Sequence, residues 1–360
     1  MRHLPAERVV ITGVGAVTAA VSGGAAAVGA YLADPRAVTP TIPAGTLATL
    51  IDGGEARRLS RACQLTVAAA RLAVADAGMP DCTGVGLVVG SELGDLHSTL
   101  EFADGYLQRG PSGLSPLLFP NTVMNTMAAA AAIAVGAKEL ALTLNAPDVA
   151  GELALARAAH AVASGRVTMT LAGGVDQIEP TLAPVFTSLG APAAPRGEGA
   201  VLLVLEARAH ALARGARILG EIVSAAWRGA AARAHGVGRR PDTRAVARAL
   251  AGAGVGRTDV AWVYDSASGD CARDGWEARV LAAALGPPLP PVASLAPFLG
   301  HSAALGALRV AAAAWTARSG LLPASPMRRV RGAVGLVHGL ARGGTHVALV
   351  VGAGEGGGTA

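Results

Sequence analysis

Short apolar runs, rich in β-branched residues, recur along the chain at 9–12, 85–89, 140–144, 167–171, 200–205, 260–264 and 346–351. Each is too short for a helix and is apolar throughout, the pattern of a strand buried on both faces. Between them lie Ala-rich stretches of helical length at 58–76, 149–164, 243–253 and 302–319. Alternating strands and helices predict an α/β protein whose parallel sheets are covered by helices.

One of these units carries candidate chemistry. In ALTLNAPDVAGELALARAAHAVASG, an apolar strand meets an Asn-Ala-Pro-Asp turn, and a long helix then runs to Gly165. A strand–turn–helix elbow of this kind commonly carries a nucleophile. Here the turn residue is Asp148, a poor nucleophile towards thioesters. A second unit, LGHSAALGALRVAAAAW, echoes it some 150 residues later, with His301 at the helix start. If the echo is real, the chain holds two copies of one βα unit, and their helix starts meet at one site. The expected division is 1–206 and 207–360, two halves of one integrated unit. The seam lies near the charged stretch EARAHALARGAR.

Hydrophobic residues make up 52% of the 360 and charged residues 15%. That balance excludes a disordered chain. Lys138 is the sole lysine, so arginine carries the positive charge, and the net charge of +5 suits an acidic partner. No basic run is interleaved with aromatics, so nucleic acid is not expected. Cys63, Cys82 and Cys271 form no CxxC pair or His-rich spacing, so no zinc site, disulfide or cofactor is expected. The first residues lack a signal peptide's apolar core. The best apolar run, 127–137, is too short to span a bilayer. A soluble cytoplasmic protein without a membrane partner is the expectation.

The order of motifs resembles the β-ketoacyl synthases, of the thiolase fold. VVITGVGAVTA is similar to that family's opening strand and GVGLVVGSELGDL to its second. SPLLFPNTVMNTMAAAAAI resembles its interface segment, and ASGRVTMTLAGGVDQ its Ala-Gly-Gly strand. PRGEGAVLLVLEARAHALARGARI is the most specific match. LGHSAALGAL and RGGTHVALVV resemble the second His motif and the closing strand. The resemblance runs from Val9 to about Val351. It implies a layered αβαβα architecture built from two pseudo-repeated halves.

The resemblance also places the site. The family's Cys falls on Asp148, with the motif glycine kept as Gly151. Its first His falls on Ser266, its Lys near Ala296, and its second His is retained as His301. The closing Phe falls on Arg342 and the acid after the first His on Glu277. Claisen condensation needs a thiolate to hold the acyl chain and imidazoles to stabilise the enolate oxygen. With Asp148, Ser266 and Ala296 in those places, no autonomous condensation and no catalytic residue are expected. Asp148 reads as a helix N-cap, or as a contact of His301 or of a partner's ligand. Arg342 pairs with Asp148 or is solvated. Glu277 is a structural acid or a catalyst. The cluster Arg228–Arg244 meets an acidic carrier or is an exposed loop. TLAPVFTSLGAPAAPRGEG replaces a longer loop of the family.

Leu117, Leu118, Phe119, Val123 and Met124 fall where the family lines the end of an acyl channel across a dimer interface; ordinary interface packing is the other reading. The resemblance is closest in character to the chain length factor of type II polyketide synthases. It implies a non-condensing subunit that pairs with an active ketosynthase, meets an acyl carrier protein with a phosphopantetheine-tethered polyketide, and shapes the channel that sets chain length. The alternatives are a stand-alone acyl-thioester enzyme using Asp148 and His301, and a structural homodimer.

Overall fold

A computed structural model describes residues 7–43, 45–188, 195–323 and 326–354. The start of the chain and positions 189–194 of the shortened loop, on which two expectations above bear, lie outside the described residues.

The strands are β1 (Val9–Thr18), β2 (Ser22–Gly23), β3 (Val85–Ser91), β4 (Ala141–Asn145), β5 (Met169–Asp176), β6 (Gly199–Ala207), β7 (Gly220–Gly229), β8 (Val260–Tyr264), β9 (Val292–Ala293), β10 (Leu321–Leu322), β11 (Arg328–Arg329), β12 (Val334–Leu340) and β13 (Thr345–Gly352). The helices are α1 (Ala25–Ala33), α2 (Gly53–Ala56), α3 (Arg61–Asp76), α4 (Leu96–Arg109), α5 (Thr126–Val135), α6 (Ala150–Ala163), α7 (Leu182–Ser188), α8 (Arg208–Ala213), α9 (Arg244–Ala253), α10 (Cys271–Leu285), α11 (Ala296–Leu299) and α12 (Ala303–Ser319). All seven predicted strands and four predicted helices are present, β8 with the predicted bounds and the others with shifted ends. β7, β12, α1, α4, α5 and α10 were not anticipated. β7 and α4 interleave polar residues without a clean period, so pattern alone does not mark them.

The strand order is β4-β3-β5-β6-β1-β7-β13-β12-β8-β9. Read outward from the β1–β7 junction, the two sides are the same. Each begins with its first strand, passes its fifth, fourth and second, and ends on its third. The pairing directions repeat as well, antiparallel for the two inner pairs and parallel for the two outer ones. Within the sheet, the halves join through three residue pairs, Val9–Ile11 against Gly220–Ile222. The echo in the sequence is thus a repeat of topology. The expectation of parallel strands is corrected: the two inner pairings on each side of the sheet are antiparallel. β12 and β13 are joined by the short turn 341–344, which can link only antiparallel neighbours.

Helices α6 and α12 pack against each other and against strands of both halves, while α3 and α5 cover the outer face of one sheet and α9 that of the other. The result is the layered αβαβα thiolase architecture. Close approach requires small residues at the centre. A Cβ on Gly151 would lie 2.0 Å from the carbonyl oxygen of Ala303, and one on Gly174 would lie 2.2 Å from it. The starts of α6 and α12 therefore meet, as the paired motifs predict. One expectation fails at the edge of the sheet: β4 reads as buried, but its outer side is free and its residues are exposed or half-buried.

Candidate active site

The site lies where the carboxyl ends of β3, β4 and β5 face the starts of α6 and α12. Ligands of open α/β sheets bind at such ends.

Asp148 occupies the turn between β4 and α6 with φ of 61°; His235, at 54°, is the other non-glycine residue with positive φ among the described residues. This conformation costs a residue with a Cβ on the order of 1–3 kcal/mol and persists only where the surroundings impose it. The N-cap reading of Asp148 is corrected. The cap of α6 is Val149, which makes no side-chain cap bond. Instead Asp148 Oδ2 accepts a hydrogen bond from the backbone N–H of Arg342 at 3.0 Å. A backbone N–H aimed at an elbow residue is the kind of donor that stabilises a developing oxyanion. Here the carboxylate of Asp148 takes it.

His301 is brought to Asp148 by the tight turn at Gly300, whose φ of 75° admits glycine and few others. The segment before β6 runs beside it: the Gly197 N–H donates to the His301 carbonyl at 3.0 Å, and the His301 N–H to the Pro195 carbonyl at 2.7 Å. That segment carries Arg196 to the site. His301 Nε2 lies 2.7 Å from Glu92 Oε1 and 3.4 Å from Asp148 Oδ1. Neither oxygen is in line with the ring N–H, so these are ion-pair contacts rather than aligned hydrogen bonds. Glu92, at the end of β3, also pairs with the guanidinium of Arg196.

These charges hold one another ionised. Burial lowers the His301 pKa, but the Glu92 and Asp148 carboxylates more than offset this and bring it up to about 9. Burial likewise raises the Glu92 carboxyl, yet His301 and Arg196 leave it below the usual carboxylate range. Asp148 follows the same pattern, with His301 outweighing burial. Asp176 is the exception. Burial and the neighbouring Glu92 charge push it up to about 6. It accepts bonds from Ser91 Oγ, from the Glu92 N–H and, at 2.7 Å, from the Ala303 N–H, fixing the start of α12. Donor atoms of Glu92, Asp148 and His301 all lie within 4.8 Å of one another. That is metal-ligand spacing, but the imidazolium and Arg196 already supply the counter-charge.

The other positions taken from the resemblance carry no reactive group. Ser266 donates from N and Oγ to the Glu277 carboxylate and accepts from the Leu340 N–H. Glu277 in turn meets His338 Nδ1 at 2.7 Å. This buried network ties β8, α10 and β12 together, so Glu277 reads as a structural acid. Ala296 is buried at the start of α11. Arg342 reaches Asp148 through its backbone, while its side chain makes a two-pronged pair with Asp270 and donates to the His235 carbonyl at 2.9 Å.

Leu117, Phe119, Val123 and Met124 are exposed and Leu118 half-buried, all on the surface of the single chain. Glu92 and Arg196, which complete the charged cluster, were not singled out in the sequence. Glu92 follows the last residue of its strand, as Asp148 closely follows β4, and that shared position is the signal that points to it.

Comparison with known proteins agrees with this geometry. Residues 44–211 match the N-terminal domain of β-ketoacyl synthase. The chain is 31% identical over 306 residues to the protein named as β-ketoacyl synthase 1 of the oxytetracycline polyketide in Streptomyces rimosus, covering 75% of this chain and 71% of that one. The chain belongs to the β-ketoacyl synthase family. A second member, 3-oxoacyl-[acyl-carrier-protein] synthase 2 of Synechocystis, is 30% identical over 66% of this chain, which spans only 63% of that relative's length. Among solved structures, the ishigamide ketosynthase/chain length factor superposes with a TM-score of 0.87 at 24% identity, over 96% of this chain and 99% of that one. Within this family fold, the residue at the turn between β4 and α6 is Asp148, held at positive φ. Among the described residues, no helix is long and apolar enough to cross a membrane.

Proposed function

We propose that this chain is a non-condensing, chain-length-factor-like subunit that pairs with an active ketosynthase and shapes the cavity in which a carrier-bound polyketide grows in the cytoplasm. The observation that carries this reading is the carboxylate of Asp148 seated at the elbow, bonded to the Arg342 N–H and ion-paired with His301. A carboxylate there cannot hold an acyl chain as a thioester. Its negative charge would also repel the carboxylate of a malonyl group.

The surface supports a partner. Leu107, Leu117 and Ile133 are 81%, 88% and 83% exposed, with Tyr106, Phe119 and Val123 beside them in sequence on α4, α5 and the segment between. Monomeric proteins rarely leave so many large apolar side chains on neighbouring elements in water. The free edge of β4 belongs to the same half, and α5 packs against it. An unpaired strand edge is a template for a second chain. On this reading Leu117, Leu118, Phe119, Val123 and Met124 lie at the seam, where they close the channel of the partner.

A second reading, acid–base chemistry by Asp148 and His301, has their 3.4 Å contact in its favour. A general acid or base works best with a pKa near the working pH. Here the pair is driven apart, with His301 near 9 and Asp148 below its ordinary value, so both resist proton transfer at neutrality.

Co-expression with an intact ketosynthase of a type II polyketide system tests the proposal. A 1:1 complex on size exclusion that elongates carrier-bound acyl groups, with no elongation by this chain alone, is the expected result. A self-dimer that ignores the ketosynthase, or turnover by the isolated chain, overturns it.

A further inference from the structure

Side chains from both halves of the chain meet at one point beside the elbow. Glu92 and Asp148 follow β3 and β4, and His301 stands before α12. Glu92 Oε1 and Asp148 Oδ1 lie 2.7 Å and 3.4 Å from His301 Nε2. Buried polar atoms almost always have a hydrogen-bond partner. Here Glu92 Oε1 and both ring nitrogens of His301 are buried without one among the described residues, although the His301 side chain is only 2% exposed. Donor atoms are thus crowded together without bonding one another, as ligands around a shared centre are.

Groups behind the two carboxylates aim them. Glu92 gives Oε2 to the guanidinium of Arg196 and keeps Oε1. Its backbone is held on both sides: the N–H donates to Asp176 Oδ1 at 2.9 Å, and the carbonyl accepts from Asn145 Nδ2 at 2.6 Å. Asp148 gives Oδ2 to the Arg342 N–H at 3.0 Å and keeps Oδ1. Each carboxylate spends one oxygen on a fixed donor and turns the other to the same centre. Metal-ligating carboxylates are oriented by outer partners in this way. The charge balance admits a cation too. The imidazolium supplies counter-charge only while His301 keeps its proton. The carboxylates of Glu92, Asp148 and Asp176 all face the one guanidinium of Arg196, whereas Arg273, 3.9 Å from Asp148 Oδ1, is already paired with Asp274 at 3.0 Å. A divalent cation beside a neutral imidazole completes that balance.

We propose that Glu92 Oε1, Asp148 Oδ1 and His301 Nε2 form a binding site for a divalent cation of the zinc class. One imidazole with two carboxylates suits zinc, whereas magnesium and calcium take oxygen ligands alone. Tetrahedral donors about 2.0–2.1 Å from zinc stand roughly 3.3 Å apart. The 3.4 Å contact fits as it is, and the 2.7 Å contact has to open by roughly half an ångström. The fourth position opens past Asp148, whose side chain is 21% exposed, and takes water. The cation ties two strand ends of one half to the helix start of the other. The inference is independent of whether the chain pairs with a ketosynthase.

The test uses the full chain, stripped with a chelator and dialysed at mildly alkaline pH. Zn²⁺ is titrated against a chromophoric competitor, and Co²⁺ is followed by visible absorption. The expected result is one equivalent of Zn²⁺ bound with submicromolar Kd, a rise in melting temperature, and the intense Co²⁺ bands of four-coordination. H301A is expected to weaken Zn²⁺ binding at least a hundredfold and D148N at least tenfold. H97A/H160A removes two exposed imidazoles outside the site and is expected to weaken it less than threefold. D148N keeps an acceptor for the Arg342 N–H, so it decides the matter if H301A fails to fold. Absence of stoichiometric Zn²⁺ binding by the parent, parental affinity in D148N, or loss of binding in H97A/H160A, the mark of an adventitious surface site, overturns the proposal. Each of these outcomes leaves the subunit proposal standing, since none of them reads pairing.

Discussion

The backbone N–H of Arg342 sits 3.0 Å from Asp148 Oδ2, while the same residue's guanidinium grips Asp270 with two nitrogens. One residue thus closes the elbow through its main chain and anchors the closing turn through its side chain. Asp270 also caps α10 by accepting from the Arg273 N–H, so the turn and the helix share one carboxylate.

A planar fork makes this pair, and an ammonium cannot reproduce it. R342K is therefore expected to behave like R342A rather than like the parent. Both are expected to lose about 1–2 kcal/mol in urea unfolding, the cost of leaving a largely buried partner unsatisfied. Full stability in R342K would show that the pair contributes only as a point charge.

His301 and His346 set opposite flanks of the pH profile. His301 is raised to about 9 by Glu92 and Asp148, against burial, with Arg196 and Arg273 close by. Its contribution is complete below the unfolded pKa of about 6.5 and is lost as pH rises through 9. His346, buried against Trp276 and facing His338, is lowered to about 4 by burial and by that neighbour. Its contribution is complete above about 6.5 and is lost as pH falls towards 4. H301N is expected to flatten the alkaline limb of melting temperature against pH, and H346F the acid limb. D148N, which keeps an acceptor for the Arg342 N–H but drops a charge, is expected to lower the His301 pKa in an NMR titration and to leave product assembly by the complex intact. Loss of product in D148N would favour the acid–base reading.

The apolar strip gives a binding prediction. L117R and I133E change side chains exposed by 88% and 83%, so chain stability is expected to move by no more than about 0.5 kcal/mol. Each is expected to weaken ketosynthase binding at least tenfold in a pull-down titration. Undiminished pairing of both would remove this face from the interface.

Gly151 tests the meeting of the helix starts. Alanine there puts a methyl 2.0 Å from a backbone oxygen, which cannot rotate away. G151A is expected to cost at least the 1–3 kcal/mol typical of overpacking, or to yield insoluble chain. G165A, at a positive φ with open space around it, is expected to cost about 1 kcal/mol. Equal mild effects would mean that α6 and α12 have room to separate.

Much of this was legible in the linear pattern. Runs such as Val260–Tyr264 announce strands because burial on both faces leaves no polar position in them. The two motif turns announce a repeat, because a strand–turn–helix elbow imposes residue types at each corner. That the turn before α6 carries a carboxylate, Asp148, is likewise read without coordinates. Strand direction, the bare edge of β4 and the role of Asp148 depended on partners far away along the chain. Glu92, Asp148, Arg196 and His301 are separated by 56, 48 and 105 positions, and no local propensity records that two strand ends, one extended segment and one helix start converge. Side-chain chemistry is a property of each residue, whereas a pKa, an ion pair or an exposed face is a property of its neighbours, and the fold alone brings those neighbours together.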